Sequence, residues 1–195
     1  MADSNITKKA LAEGMKKLMS EKPFAKISIT DICELCGMNR KTFYYHFQDK
    51  YELVNWIFDI EFISVARQKK YTDSWEMFSA LFAYFDENRE FYRNALTVTD
   101  YNSFRQHFHE LLSTIFTKRM SELFKDESIS EKKKSFCIHV LSDAFISAAE
   151  RWLTDKEKLT AEEFCEYLHF IFDKVGSAHI MNQKSSSSFG KQCSE

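Results

Sequence analysis

A single proline and four glycines punctuate 195 residues. An all-β chain needs turn residues at short, regular intervals, and this one does not have them. The scarcity points to long helices joined by short polar connections. The chain is long enough to bury a substantial core. Apolar residues recur at three-to-four spacing along most of it, so the expected class is all-α with about nine helices.

The first helix is expected from Ile6 to Ser20, with Ile6, Ala10, Leu11, Met15, Leu18 and Met19 on one face. Lys8, Lys9, Lys16 and Lys17 fall off that face. Pro23 stops simple continuation, and Phe24 and Ile27 anchor the connection. Ser28 reads as an N-cap, with Asp31 three residues on. Ile29, Ile32, Cys33 and Cys36 face inward, and Gly37 supplies the left-handed residue of a sharp turn. Asn39 caps a second short helix from Arg40 to about Phe47. Asp49, with Glu52 three later, opens a long helix from Lys50 to about Lys70. Its buried stripe is Leu53, Val54, Ile57, Phe58, Phe62 and Val65. Five further helices are expected: Trp75 to Asp86, Glu90 to Thr97, Asn102 to about Phe124, Ser130 to Thr154, and Ala161 to about Val175. Thr160 and Glu163 make a capping box for the last. Residues 182–195, with their serine run, are expected to be disordered.

The net charge of -2 excludes a general polyanion binder. The charge is unevenly spread, however. Residues 1–50 hold nine Lys/Arg against six Asp/Glu, and residues 51–195 hold eighteen against twenty-three. A mildly basic module on an acidic body fits a local DNA contact surface. Five cysteines without a secretory segment argue against a disulfide framework and for the cytoplasm. Cys33 and Cys36 are two thiols three residues apart on a helix, too few to close a tetrahedral metal site. No stretch approaches the length of a membrane span. No phosphate-cradling glycine loop, nucleophile elbow or full metal set is present, so neither an enzyme, a cofactor nor a metal is expected.

The chemistry concentrates between Ser28 and Lys50. With Phe43 and Phe47 turned inward, Arg40, Lys41, Tyr44, Tyr45 and His46 share the exposed face of the second short helix. Asn39 and Thr42 stand at its N-terminal end. A helix fits the major groove of DNA and presents its N-terminal part to base edges. Arg40 or Lys41 can donate to guanine O6 and N7, and the Thr42 methyl can meet a thymine methyl. Tyr44, Tyr45 and His46 suit phosphate oxygens. Thr30 and Lys50, near the starts of the flanking helices, are further phosphate candidates.

The run Gly37-Met38-Asn39, Thr42-Phe43-Tyr44-Tyr45-His46-Phe47 and Asp49-Lys50-Tyr51-Glu52-Leu53 resembles the DNA-binding domain of the TetR family of bacterial transcription regulators. The resemblance covers roughly Thr7 to Ile57. Lys41 departs from it, standing where a small residue is frequent, so base preference is not copied from relatives. YYHFQDKYELVNWIF is also similar to the dihydroxyacetone kinase regulator-like subgroup. The resemblance implies a helix-turn-helix domain over 1–50, a bridging helix over about 50–70, and a regulatory and dimerisation domain over 71–181. It further implies a homodimer on a palindromic DNA operator, controlled by a small-molecule effector. A repressor is the family's default. An activator, or a protein-interaction module that keeps the fold without reading DNA, is the alternative.

Two further surfaces stand out. Ala144, Ala148, Trp152, Phe164, Leu168, Ile171 and Phe172 lie on stripes of the last two helices that could pair across a two-fold axis. Phe78, Phe82, Tyr92, Phe104, His107 and Phe108 are rich enough in aromatics, with one polar ring, to line an effector pocket. An aromatic stripe at this spacing also serves as ordinary core.

Overall fold

The structure, a computed structural model, describes residues 2–123, 129–156 and 159–174. Val175, the expected last residue of the final helix, and the expected tail at 182–195 lie outside the described residues. Every regular element among the described residues is helical. In chain order the α-helices are α1 (Ala2–Glu21), α2 (Ile29–Leu35), α3 (Arg40–His46), α4 (Lys50–Phe58), α5 (Ser64–Gln68), α6 (Ser74–Glu87), α7 (Arg89–Leu96), α8 (Phe104–Leu123), α9 (Glu131–Thr154) and α10 (161–174), with a short 3-10 turn at Phe24–Lys26 between α1 and α2. No described helix is long and apolar enough to cross a membrane. The chain divides into two compact units. One holds the described residues of Met1–Lys70 and Glu87–Lys156, the other those of Tyr71–Asp86 and Glu157–Glu195.

In the first unit, α1 buries Leu11, Met15, Leu18 and Met19, as their spacing predicts. Ile6, expected on the same face, is instead exposed. None of residues 4–10 is buried, so the fully buried stripe of α1 begins at Leu11. Gly14 is required for α1 to meet α2: a Cβ there would lie 2.5 Å from the Cys36 sulfur. That thiol donates to the Ala10 carbonyl at 3.2 Å. Burial pushes both the Cys33 and the Cys36 thiols up, which keeps them protonated and unreactive.

The caps read from the sequence are present. The Asp31 amide donates to Ser28 Oγ at 3.1 Å, and the Ser28 amide donates to the Asp31 carboxylate at 2.7 Å, a reciprocal capping box. Gly37 turns the chain at φ +64°, a left-handed conformation that costs a β-carbon residue about 1–2 kcal/mol. Asp49 accepts from the Glu52 amide at 2.8 Å while Glu52 accepts from the Gln48 amide at 2.6 Å.

The expected single helix from Lys50 to Lys70 is interrupted. A π-helical turn, Asp59–Ile63, joins α4 to α5. The Ser64 hydroxyl donates to the Asp59 carbonyl, five residues back, at 2.8 Å, which supports the wide turn. A π turn takes up one extra residue, so the helical phase after it lags by one position. Val65 therefore leaves the face of Phe58 and Phe62 and is exposed, contrary to expectation.

Around Phe58 the first unit builds an aromatic core. Its ring lies 5.6 Å from Phe62, 6.1 Å from Tyr92, 5.2 Å from Phe104 and 6.1 Å from Phe108. Arg105 ties α8 to Glu150 of α9 at 2.6 Å, and Asn94 of α7 donates to the Met19 carbonyl of α1 at 2.7 Å. In the second unit, α6 packs on α10 through Phe82 and Phe164, with ring centroids 4.8 Å apart, and through Trp75 against His169 and Phe172. Thr160 and Glu163 form both halves of the capping box that opens α10.

Candidate nucleic-acid interface

The helix α3 has two faces of opposite character. Phe43 and Phe47 are buried with ring centroids 5.9 Å apart and pin the helix to α1, α2 and α4. Lys8 of α1 lies over the Phe47 and Trp56 rings, a cation–π contact that links distant sequence positions. On the other face, Tyr44 is 49% and Tyr45 82% exposed. Arg40 and Lys41 are exposed and His46 is half-buried. A tyrosine four-fifths in solvent contributes little to packing, and this one shares its face with two cations.

The exposed side chains are already partly arranged. The Arg40 guanidinium donates to the Tyr44 hydroxyl at 3.3 Å and sits 5.8 Å from the centre of its ring. Tyr45 and His46 pack edge to face at 4.9 Å. Asn39 Oδ1 accepts from both the Thr42 amide at 2.8 Å and the Thr42 hydroxyl at 3.1 Å. The cap thus takes the Thr42 hydroxyl and uses the Asn39 oxygen, not its amide donors or the Thr42 methyl. Thr30 is exposed in the first turn of α2.

Lys50 has a role the sequence did not disclose. Its ammonium donates to the Phe24 carbonyl at 2.9 Å and the Ile27 carbonyl at 2.8 Å, 4.2 Å above the Phe24 ring. It ties the start of α4 to the connection between α1 and α2. Two of its three donors are spent inside the chain. Burial lowers its pKa, and Asp100 and Asp31 oppose that shift. Only the fold brings together residues 24, 27 and 50, so no local pattern signals this contact.

Asp31 gives the head an acid-sensitive cap. The Ser28 amide, then the Lys22 ammonium at 3.0 Å, hold its carboxyl at about 2 against an ordinary 3.8. The folded value is depressed, so the stabilisation is present above pH 3.8 and is lost as pH falls toward 2. Asp31→Asn is expected to flatten the acid unfolding curve in that window, followed by circular dichroism. Superimposable curves for the two proteins would refute it.

Of the expected pocket residues, Tyr92, Phe104 and Phe108 pack ring on ring in the first unit, and His107 places Nε2 2.9 Å from Asp59 Oδ1. Phe78 and Phe82 are buried in the second unit. Of the expected interface residues, Trp152, Phe164 and Leu168 are already buried within the single chain. Trp152 carries the Arg89 guanidinium over its ring, and its carbonyl accepts from Arg89. Ala148 and Phe172 are half-buried, whereas Ala144 and Ile171 are exposed. The apolar surface left on α9 is Phe136, Val140 and Ala144, four residues apart, and on α10 it is Tyr167, Phe170 and Ile171. Sequence reasoning misses Phe136, Tyr167 and Phe170, although the four-residue spacing of Phe136, Val140 and Ala144 is visible in it.

Residues 12–57 match the family model described as bacterial regulatory proteins, tetR family. Residues 73–174, just over half of the chain, match that of the transcriptional regulator C-terminal region. The HTH-type dhaKLM operon transcriptional activator DhaS of Lactococcus lactis subsp. lactis is 33% identical over 99 residues, 50% of this chain. The match spans about half, 53%, of that relative's own length. A solved structure of a dihydroxyacetone kinase operon activator DhaS has a TM-score of 0.61 at 24% identity, covering 87% of this chain and 96% of that one. A TetR transcriptional regulator from Streptococcus agalactiae gives 0.65 at 24% identity over 85% and 93%. NalD of Pseudomonas aeruginosa, the secondary repressor of the MexAB-OprM efflux pump, gives 0.57 at 18% over 85% and 93%. These likenesses in structure establish a shared fold.

Proposed function

This chain belongs to the TetR family of bacterial transcriptional regulators, and from that premise we propose that it reads a palindromic DNA operator as a homodimer. The observation that carries the reading is the outer face of α3, where Arg40, Lys41, Tyr44, Tyr45 and His46 surround a helix held by Phe43 and Phe47. In this reading residues 1–50 are the head, and Arg40 addresses a base edge while Tyr44 holds its guanidinium in place. Tyr45, His46, Thr30 and the remaining donor of Lys50 address phosphates. The exposed apolar faces of α9 and α10 supply the contact between copies. A small-molecule effector acts through residues 71–181. Such a regulator works on chromosomal DNA in the cytoplasm and catalyses no reaction.

Arg40→Ala is expected to weaken binding to the selected operator by about 1–3 kcal/mol and to relax preference at one position of each half-site. Selection from a random duplex pool with both proteins reads this out. An unchanged consensus would remove Arg40 from base readout, and failure of the parent chain to enrich any sequence would sink the proposal.

One observation favours activation over the family's more frequent repression. The curated relative at 33% identity is named as an operon activator. In vitro transcription from the gene's own upstream DNA decides the sign: added protein raises transcript yield if the chain is an activator and lowers it if a repressor.

A further inference from the structure

Along α4 and into the π turn, Tyr51, Asn55 and Asp59 recur every four positions and are all half-buried, beside the buried Val54 and Phe58. Each meets a polar group of the segment that leads into α8 or of its first turn. The Tyr51 hydroxyl donates to the Asp100 carboxylate at 2.5 Å, the Asn55 amide donates to the Asn102 carbonyl at 3.3 Å, and Asp59 Oδ1 lies 2.9 Å from His107 Nε2. Apolar packing is non-directional, whereas hydrogen bonds weaken steeply out of line. Three polar pairs in a row therefore specify one register of α4 against this segment.

The pair nearest the start of α4 is also the best placed to act on the reading head. A hydrogen bond to a charged acceptor is stronger than a neutral one. The bond to Asp100, and then burial, push the Tyr51 hydroxyl up to about 12 from an ordinary 10. The Tyr51 ring meets Phe24 edge on at 5.0 Å, and Phe24 holds the Lys50 ammonium through both its carbonyl and its ring. Asp100 is also the first group to oppose the lowering of the Lys50 pKa by burial. Asp100 thus reaches, through Tyr51, the point where α4 is tied to the connection between α1 and α2. Only three residues separate that point from the end of α3. Asp100 itself stands outside residues 12–57, the part that matches the tetR family model.

We propose that Tyr51 and Asp100 are positioning residues for operator binding: their bond latches α4 to the connection between α7 and α8 and so holds α3 at the angle at which it enters the groove. The proposal rests on the DNA-reading function above. Asp100 stays off the DNA, since phosphates repel a carboxylate. With the latch broken, α4 samples other settings, the binding-competent fraction falls, and apparent affinity falls by the same factor. The DNA-facing groups are untouched, so the number of phosphate contacts stays the same.

A double-mutant cycle on the full chain, read by anisotropy with the selected operator and by urea unfolding, tests it. Tyr51→Phe keeps the ring on Phe24 and removes only the hydroxyl, and Asp100→Ala removes the acceptor. Each is expected to weaken operator binding about tenfold, the low end for a hydrogen bond to a charged group. The double variant is expected to lose no more than either single one, with the salt slope of the parent. Glu150→Gln removes the Arg105 tie between α8 and α9 and is expected to leave operator affinity unchanged, as a merely structural contact would. Parental affinity in either single variant, additive losses in the double, a reduced salt slope, or an equal loss in Glu150→Gln would overturn the proposal. The unfolding arm needs no DNA. Additive stability losses there overturn the latch itself. Non-additive losses in a chain that enriches no duplex overturn the operator reading instead, and with it the role in positioning, but leave the latch in the fold.

Discussion

Replacing Phe58 by alanine is expected to cost about 3–5 kcal/mol of folding stability, the range for emptying a fully buried aromatic site. Phe58 is fully buried and contacts rings from the π turn, α7 and α8. No single neighbour can collapse into the space, because each is itself held by others: Phe104 stacks on Phe108 at 5.8 Å and Tyr92 leans on Phe104 at 5.1 Å. A domain has only about 5–15 kcal/mol to lose, so the variant approaches the limit of folding. Denaturant unfolding of the parent, Phe58→Leu and Phe58→Ala measures it. Leucine refills part of the volume and is expected to recover part of the loss. A cost below about 1 kcal/mol for alanine would mean that the cluster is not the keystone of the first unit.

Operator binding is expected to fall by roughly two orders of magnitude between 50 and 200 mM salt. The estimate rests on charge, since only cations that neutralise phosphates release counterions. Lys41 and Lys50 in each of two heads give about four such contacts, and the base-reading Arg40, the tyrosines and Thr30 add none. Lys41→Met should therefore reduce the salt slope by about two in the dimer, one contact per head. Tyr44→Phe removes the hydroxyl that holds Arg40 and should lower affinity at every salt concentration without changing the slope. Fluorescence anisotropy across a salt series separates the two variants. A slope unaltered by Lys41→Met would take that residue off the backbone.

The local parts of this fold were legible because local rules govern them. Ser28, Asn39, Asp49 and Thr160 announce helix starts through side chains that reach amides only a few residues away. Phe43 and Phe47 were identifiable as buried from their spacing, and the outer face of α3 emerged by subtraction. The failures lie where distance or phase intervened. Lys8 and Lys16 fall off the apolar face of α1 and Lys50 is expected as a phosphate contact, but that Lys50 binds two carbonyls, Lys16 binds Glu61 at 2.8 Å and Lys8 lies over two rings depends on residues more than twenty positions away. Val65 was misplaced because a periodic count assumes an unbroken α-helix.

The π turn also records something about how this helix tolerates change in length. Five residues, Asp59–Ile63, occupy a turn that ordinarily takes one fewer, and the helix on either side keeps its alignment. Losing one residue there would tighten the turn to α geometry and leave the faces of α4 and α5 in step. Losing one residue anywhere else between Lys50 and Gln68 would rotate everything beyond it by about 100°. The helix thus contains one surplus position, a site where a deletion can be absorbed without disturbing the alignment of the residues beyond it.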